Sequence, residues 1–446
     1  MKTPGLQHRS ARVGSKAVES LRQTWHTLVH RNRDSKKKRN FTTGRPNFTT
    51  PYTYEPLNPS NSLIRLIALE PSPDFASDIY CDIFNVSLDT KPVYEAVSYA
   101  WGDANITEML FLQNHPFQAT VNLVSALRHL RFKYETRILW VDAICIDQAN
   151  NLEREQQVGL MGSIYSMAEC DLLWLGEDPH GYAGPAFELM TYVADVYDDA
   201  YDSDDYEEPL RAASEEAVSR WKNLPIYLDE DKFKSLEKTL RDPPVWQRIW
   251  IVQEIAVSQQ VFIHFGSHHM SWDIMESWDG AVARLPHPTG PWPQGAGSLY
   301  LTRSLAATRR TFKHSGVKLP ILDLWQDFRG FLATDPRDMI FALLGLADEE
   351  SRLITADYSK PVEEVLTMVA RTIISQTQKL DCLEMGQLLT PGLKSNLDLP
   401  SWVINFSDVS GAISTMTPST RHHSASASTP CSSVSMEDSV ASLSSI

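Results

Sequence analysis

The stretch ILWVDAICIDQANNLEREQQVGLMGSIYSMAECDLLWLG, residues 138–176, decides how the rest of the chain is read. Ile138 to Ile146 is apolar and β-branched, interrupted by Asp142 and closed by Asp147. That pattern predicts a strand buried on both faces. Asn150 and Glu153 follow at the spacing of a capping box. Val158, Met161, Tyr165 and Ala168 then mark one face of a helix. Leu172 to Leu175 is a second short strand, ending at Gly176. Strand, helix and strand in this span predict a βαβ unit. Ligands of open α/β sheets sit beyond the carboxyl ends of the strands, so Asp142 and Asp147 become site candidates. Each reads equally well as a capping or structural carboxylate.

Outward from this unit, Tyr94 to Trp101 is a strand ended by Gly102-Asp103, and Leu63 to Leu69 and Ile79 to Val86 are strands of a small antiparallel element. Met109 to Leu112 and Phe117 to Val121 flank a hairpin loop at Asn114-His115-Pro116, and Asn122 is placed to cap a helix. On the other side, Val245 to Val257 is a strongly apolar helical segment after Pro243-Pro244, and Val261 to Phe265 is a strand ended by Gly266. Ile321 to Leu332, Met339 to Leu346 and Pro361 to Ile374 read as helices, with Pro361 at a first helical position.

Composition bounds the rest. A chain of 446 residues with 42% hydrophobic content has ample material for a core, and no apolar run reaches membrane-spanning length. The five cysteines (81, 145, 170, 382 and 431) have no CxxC spacing, which suggests a reducing compartment with neither a zinc site nor a disulfide framework. A net charge of -15 makes nucleic acid an unlikely partner. Residues 1–53 nonetheless form a basic, polar arm around Lys36-Lys37-Lys38-Arg39, expected to be disordered, as is the Ser/Thr-rich tail at 410–446. The arm leaves a nuclear location open beside a cytoplasmic one. An acidic insertion over about 180–243 reads as solvated surface, since the spacing of a calcium loop is missing. His264, His268 and His269 lack partners at ligand spacing and read as a surface loop. P-loop, GxGxxG, HExxH and GxSxG motifs are all absent, and Cys145, inside an apolar run, reads as inert packing.

Several blocks together resemble one family. YEAVSYAWGD (94–103), LWVDAICIDQ (139–148) with Glu153-Arg154, Gln157, Met161, Tyr165 and Ala168, and WQRIWIVQE (246–254) resemble the three blocks of the fungal heterokaryon-incompatibility (HET) domain. Downstream, DPRD (335–338), ALLGL (342–346), ADYS (356–359) and LPSW (399–402) resemble the region that usually follows, with Asn405-Phe406 where relatives often carry Asp-Trp. The resemblance implies an α/β fold: a TIR-like (flavodoxin-like) parallel-sheet core with insertions at 54–284, then a mainly helical extension at 285–409. It also implies non-self recognition leading to growth arrest or cell death. HET domains are similar to TIR domains, in which a Trp followed four residues later by a Glu marks the residue that cleaves NAD. Trp250 and Glu254 match that pattern. By this resemblance Glu254 is the catalytic candidate, with Tyr99, Trp101, Asp103, Asp142 and Trp250 binding substrate. NAD is then a substrate, and no cofactor or metal is expected. Homo-oligomers through the HET domain and an incompatibility or NLR-like partner are implied. The alternative is a non-catalytic self-assembling scaffold that recruits death effectors, with Glu254 paired to Arg248 or facing water.

Overall fold

The computed structural model describes residues 49–58, 62–200, 219, 221–223, 230–284, 300–378, 397–400 and 402–406. The basic arm up to residue 48, residues 201–218, 220 and 224–229 of the acidic insertion, and the Ser/Thr-rich tail lie outside the described residues. The chain divides into two compact units between Val317 and Lys318.

The first unit is built on one nine-stranded sheet, ordered β5-β4-β2-β1-β6-β3-β7-β8-β9. The strands are β1 (Leu63–Leu69), β2 (Tyr80–Ser87), β3 (Glu95–Tyr99), β4 (Thr107–Leu112), β5 (His115–Thr120), β6 (Arg137–Trp140), β7 (Asp171–Trp174), β8 (Val261–Phe265) and β9 (His268–Ser271). The four neighbours β6, β3, β7 and β8 are mutually parallel. On either side β1 and β9 run antiparallel to them, so the sheet is mixed rather than parallel throughout. β7 is buried along its whole length and β1 over six of its seven residues, as strands covered on both faces are, whereas β4 and β5 are only partly buried.

The helices of this unit are α1 (Val121–Leu130), α2 (Asp142–Cys145), α3 (Asn151–Met167), α4 (Ala183–Ala200), α5 (Glu230–Arg241), α6 (Ile251–Val257), α7 (Trp272–Arg284) and α8 (Tyr300–Ser315). Strand, helix and strand do occur in the central stretch. However, β6 and β7 are not neighbours, because β3 lies between them.

Several local expectations are corrected. The strand expected from Ile138 to Ile146 stops at Trp140, and Asp142 opens the short helix α2. Ile144 and Cys145 are fully buried, so an apolar run alone could not distinguish a bend from a continued strand. The helix expected over 245–257 is a 3-10 turn at Pro244–Gln247 followed by α6. The hairpin turn is Gln113-Asn114, both with positive φ (49° and 67°), and His115 and Pro116 already belong to β5. Two residues at positive φ suit the twist of a two-residue hairpin. Asn122 does not cap α1: it donates to the Ala100 carbonyl and accepts from the Trp174 indole, tying the ends of β3 and β7 together. His264, His268 and His269 form part of the β8–β9 hairpin rather than a loop, with His264 and His269 stacked at 5.5 Å. Burial, then Arg137, hold His264 down at about 3, so it stays neutral. Among the described residues no group of His, Cys, Asp and Glu could hold a metal ion.

Arg65, in the middle of β1, is 1% exposed and organises one side of the sheet. Its guanidinium donates to both Glu153 oxygens (2.5 and 3.0 Å) and to the carbonyls of Cys145 and Glu55, and stacks on Tyr54 at 4.8 Å. Glu153 also accepts from the Asp147 amide. The Asn150 half of the capping box forms, whereas the Glu153 side chain is drawn away to Arg65. Removing either partner of such a buried pair costs about 3–5 kcal/mol.

The second unit is mainly helical in its described residues. It contains α9 (Ile321–Phe328), α10 (Asp338–Phe341) and α11 (Val362–Thr377). Pro361 is the N-cap of α11, one residue earlier than expected. Arg337, from the 335–338 block, grips Asp335 and donates to the carbonyls of Tyr358 and Lys360. The Trp325 indole donates to the Phe406 carbonyl and meets its ring edge-on. Phe406 is thus a packing residue.

Candidate functional site

The three sequence blocks come together at the carboxyl ends of β3 and β6. β3 ends at Tyr99 and is followed by Trp101, where Gly102 turns the chain at φ 75°. β6 ends two residues before Asp142, the first residue of α2. Arg248 lies between the 3-10 turn and α6. One Asp142 oxygen accepts from the Trp101 indole at 2.9 Å and from Arg248 Nη2 at 3.1 Å, and the other accepts from the Ala143 amide. Arg248 Nη1 donates to the Tyr99 carbonyl at 3.0 Å and lies 3.2 Å from Glu254 Oε1. One guanidinium therefore joins all three blocks.

The cluster is graded in depth. Trp101 is 37% exposed and the Arg248 side chain 18%, whereas Asp142 is buried and Tyr99 and Glu254 are completely so. Neither Glu254 oxygen has an aligned hydrogen bond, and the Tyr99 hydroxyl is likewise without one. Burial raises the Glu254 carboxyl above its ordinary value, and Arg248 pulls it part of the way back. Burial and the Asp142 charge hold the Tyr99 phenol well above its own. Behind them Asp171 accepts from the Ser98 hydroxyl at 3.0 Å and is pushed well up by burial and by Glu254. Arg248, beside two carboxylates, stays charged. Asp142 and Glu254 thus share the Arg248 guanidinium, while Asp171 faces Glu254 from behind, an arrangement that favours keeping Asp171 protonated.

Of the expected site residues, Tyr99, Trp101, Asp142 and Glu254 meet in this cluster. Trp250 is buried beside it and meets Glu254 through the backbone, its carbonyl accepting the Glu254 amide as the N-cap of α6. Asp103 is exposed and turned to its own loop, where it accepts from the Asn105 amide and side chain. Asp147 likewise serves the turn before α3 by accepting from Ala149. Arg248, Ser98, Tyr165 and Asp171 were not among the expected site residues. Arg248 is two residues before Trp250, but its reach to a carboxylate 106 positions away leaves no local pattern. Cys145 is buried, with its thiol pushed up to about 12, and is inert as expected.

A mixed α/β sheet with a polar cluster at the strand ends defines the class. Residues 94–254 match the family model described as "Heterokaryon incompatibility protein (HET)". The match spans the three blocks that build this cluster. It is also similar to "Heterokaryon incompatibility protein 6, OR allele" of Neurospora crassa, 27% identical over 399 residues. That alignment covers 78% of this chain and 58% of the relative. The chain thus spans under two thirds of the curated relative's length. No solved structure matches it.

Proposed function

We propose that this chain is a fungal incompatibility protein whose HET domain answers non-self recognition with growth arrest or cell death by cleaving NAD. The observation that carries the reading is the convergence of Tyr99, Trp101, Asp142 and Glu254 on one guanidinium at the carboxyl ends of β3 and β6. Taken in chain order, the parallel strands β3, β6, β7 and β8 lie as 2-1-3-4. That is the order of a flavodoxin-like sheet, whose switch point here falls between β3 and β7, and it supports the TIR reading. The chemistry asks little of the protein. Nicotinamide leaves NAD as a neutral group from a cationic ring, so no general acid is needed. Positive charge develops on the ribose, as in glycoside cleavage. A buried carboxylate such as Glu254 stabilises that charge strongly because little water competes.

A specific observation favours a second reading. Glu254 is 0% exposed and paired with Arg248, which suits a non-catalytic scaffold whose cluster only holds the domain together. Glu254→Gln separates the two, since it keeps the shape and removes the charge. Purified, concentrated full chain should release nicotinamide from NAD, and Glu254→Gln should abolish this at unchanged fold and self-association. Equal killing of cells by both proteins, with NAD constant in both, would leave the scaffold as the function.

A further inference from the structure

Arg248 is the cation at the centre of this cluster. A planar cation sits between two carboxylates, Asp142 and Glu254, at 3.1 and 3.2 Å. The aromatic ring of Trp101 is bonded to the same Asp142 oxygen and is partly open to solvent. Aromatic faces attract cations, and carboxylates on either side add to this. The buried Tyr99 hydroxyl lies beside Asp142, and the buried Glu254 carboxyl beside the Ser98 and Tyr165 hydroxyls and Arg248, none of them in aligned hydrogen-bond geometry. The negative charge of this buried site is therefore met chiefly by one cation, and another cation of similar shape could meet it in the same way. Of the charged groups here, Arg248 has the most contact with solvent, so it is the one that can leave.

We propose that Arg248 is a resident stand-in: its guanidinium fills a site for a planar aromatic cation, the pyridinium ring of a nicotinamide nucleotide. The ring enters between Asp142 and Glu254 as Arg248 swings out to water. The inference rests on the NAD reading and adds a mode of control to it. Withdrawal without replacement leaves two buried carboxylates unpaired, which is strongly unfavourable. The open state is therefore rare until a cation of matching shape takes the vacated place. Ligand and arginine compete for one position, and the resting domain is self-inhibited.

The test uses the full chain as wild type, Arg248→Ala and Arg248→Lys. A lysine keeps the charge but lacks the fork that spans Asp142, Glu254 and the Tyr99 carbonyl. The probes are nicotinamide methylated on its ring nitrogen (here N-methylnicotinamide), a planar pyridinium cation, its neutral counterpart nicotinamide, and methylguanidinium. Thermal melting and titration calorimetry are the readouts. Both cations should bind Arg248→Ala and raise its melting temperature, N-methylnicotinamide at least about tenfold more tightly than it binds wild type, with Arg248→Lys between them. Neutral nicotinamide should do neither. If Arg248→Ala folds only when a cation is present, that is the same result in stronger form. Equal binding of N-methylnicotinamide to wild type and Arg248→Ala would overturn the proposal. So would an equal response to nicotinamide, or cations that neither bind nor restore folding in either variant. Catalysis is measured separately. Nicotinamide release from NAD without cation binding in the variants sinks the stand-in alone, whereas binding with no release under any condition sinks the enzyme reading alone.

Discussion

Asp171 is the residue whose surroundings make the clearest demand on pH. It is completely buried, one oxygen has only the Ser98 hydroxyl and the other has no aligned partner. Its folded value is raised well above 3.8, by burial first and Glu254 next. A carboxyl raised on folding stabilises the protein fully below its ordinary value and loses that contribution as pH rises towards the folded one. Asp171→Asn keeps the acceptor for Ser98 and cannot ionise. The variant and wild type should melt alike below pH 3.8. With rising pH the variant should gain, reaching an advantage of about 1–3 kcal/mol near neutrality. A difference that does not vary with pH would show that Asp171 titrates alike in the folded and unfolded chain, contrary to its buried setting. At this scale much of the cluster was legible: Tyr99, Trp101, Asp142 and Glu254 all stand in recognisable blocks. Arg248 as the joint between them was not, because its partners lie on three separate elements. Nor was the inward role of Glu153, whose spacing suggested only a cap.

α6 shows how an element can depend on its ends. Seven residues are too few to nucleate a stable helix alone; no side chain caps the N-terminus, and at the C-terminus the Ser258 hydroxyl donates to the Glu254 carbonyl. Arg309 of α8 adds to this support, donating to the carbonyls of Ile255, Ser258 and Gln259 while itself 1% exposed. Arg309→Met fills similar space without donors and should cost about 1–3 kcal/mol for the carbonyls left unmet. Hydrogen exchange should quicken first at residues 251–259, and the Arg65–Glu153 region should change little. Uniform loss of protection across the sheet would mean that Arg309 supports the whole unit rather than this helix. β1 and β8 were legible to the residue, because each is a short apolar run with clear ends, β1 between the polar, proline-bearing stretches at 58–62 and 70–73 and β8 closed by Gly266. The bend at Asp142 and the break at Arg248 were not, since the residues on both sides are buried and apolar whichever way the backbone runs.

For the whole molecule, the sheet sets what can be cut and what cannot. Seven of the nine strands lie between residues 63 and 174 and are interleaved in space, with β3 between β6 and β7. Limited proteolysis followed by mass mapping should find no early cut from residue 62 to 176. A first cut inside Ile138–Gly176 would contradict the strand order. The α/β class and the central βαβ stretch could be read from periodicity. The mixed character of the sheet could not, because pairing between distant strands has no local signature.

The two rims of that sheet bear on how copies of the protein could join. β5 is one rim, and it carries Pro116, which has no amide hydrogen to offer and whose carbonyl already accepts the Tyr52 amide. β9 is the other, only four residues long, with His268 and His269 exposed on it. A short rim and a proline-bearing one are both poor templates for strand addition. Polymerisation of this domain by zipping backbone to backbone, as fibrils grow, would first have to displace Tyr52 or extend β9. Assembly through helices and loops meets no such obstacle, and it would leave each monomer's sheet intact and recoverable when the assembly is diluted.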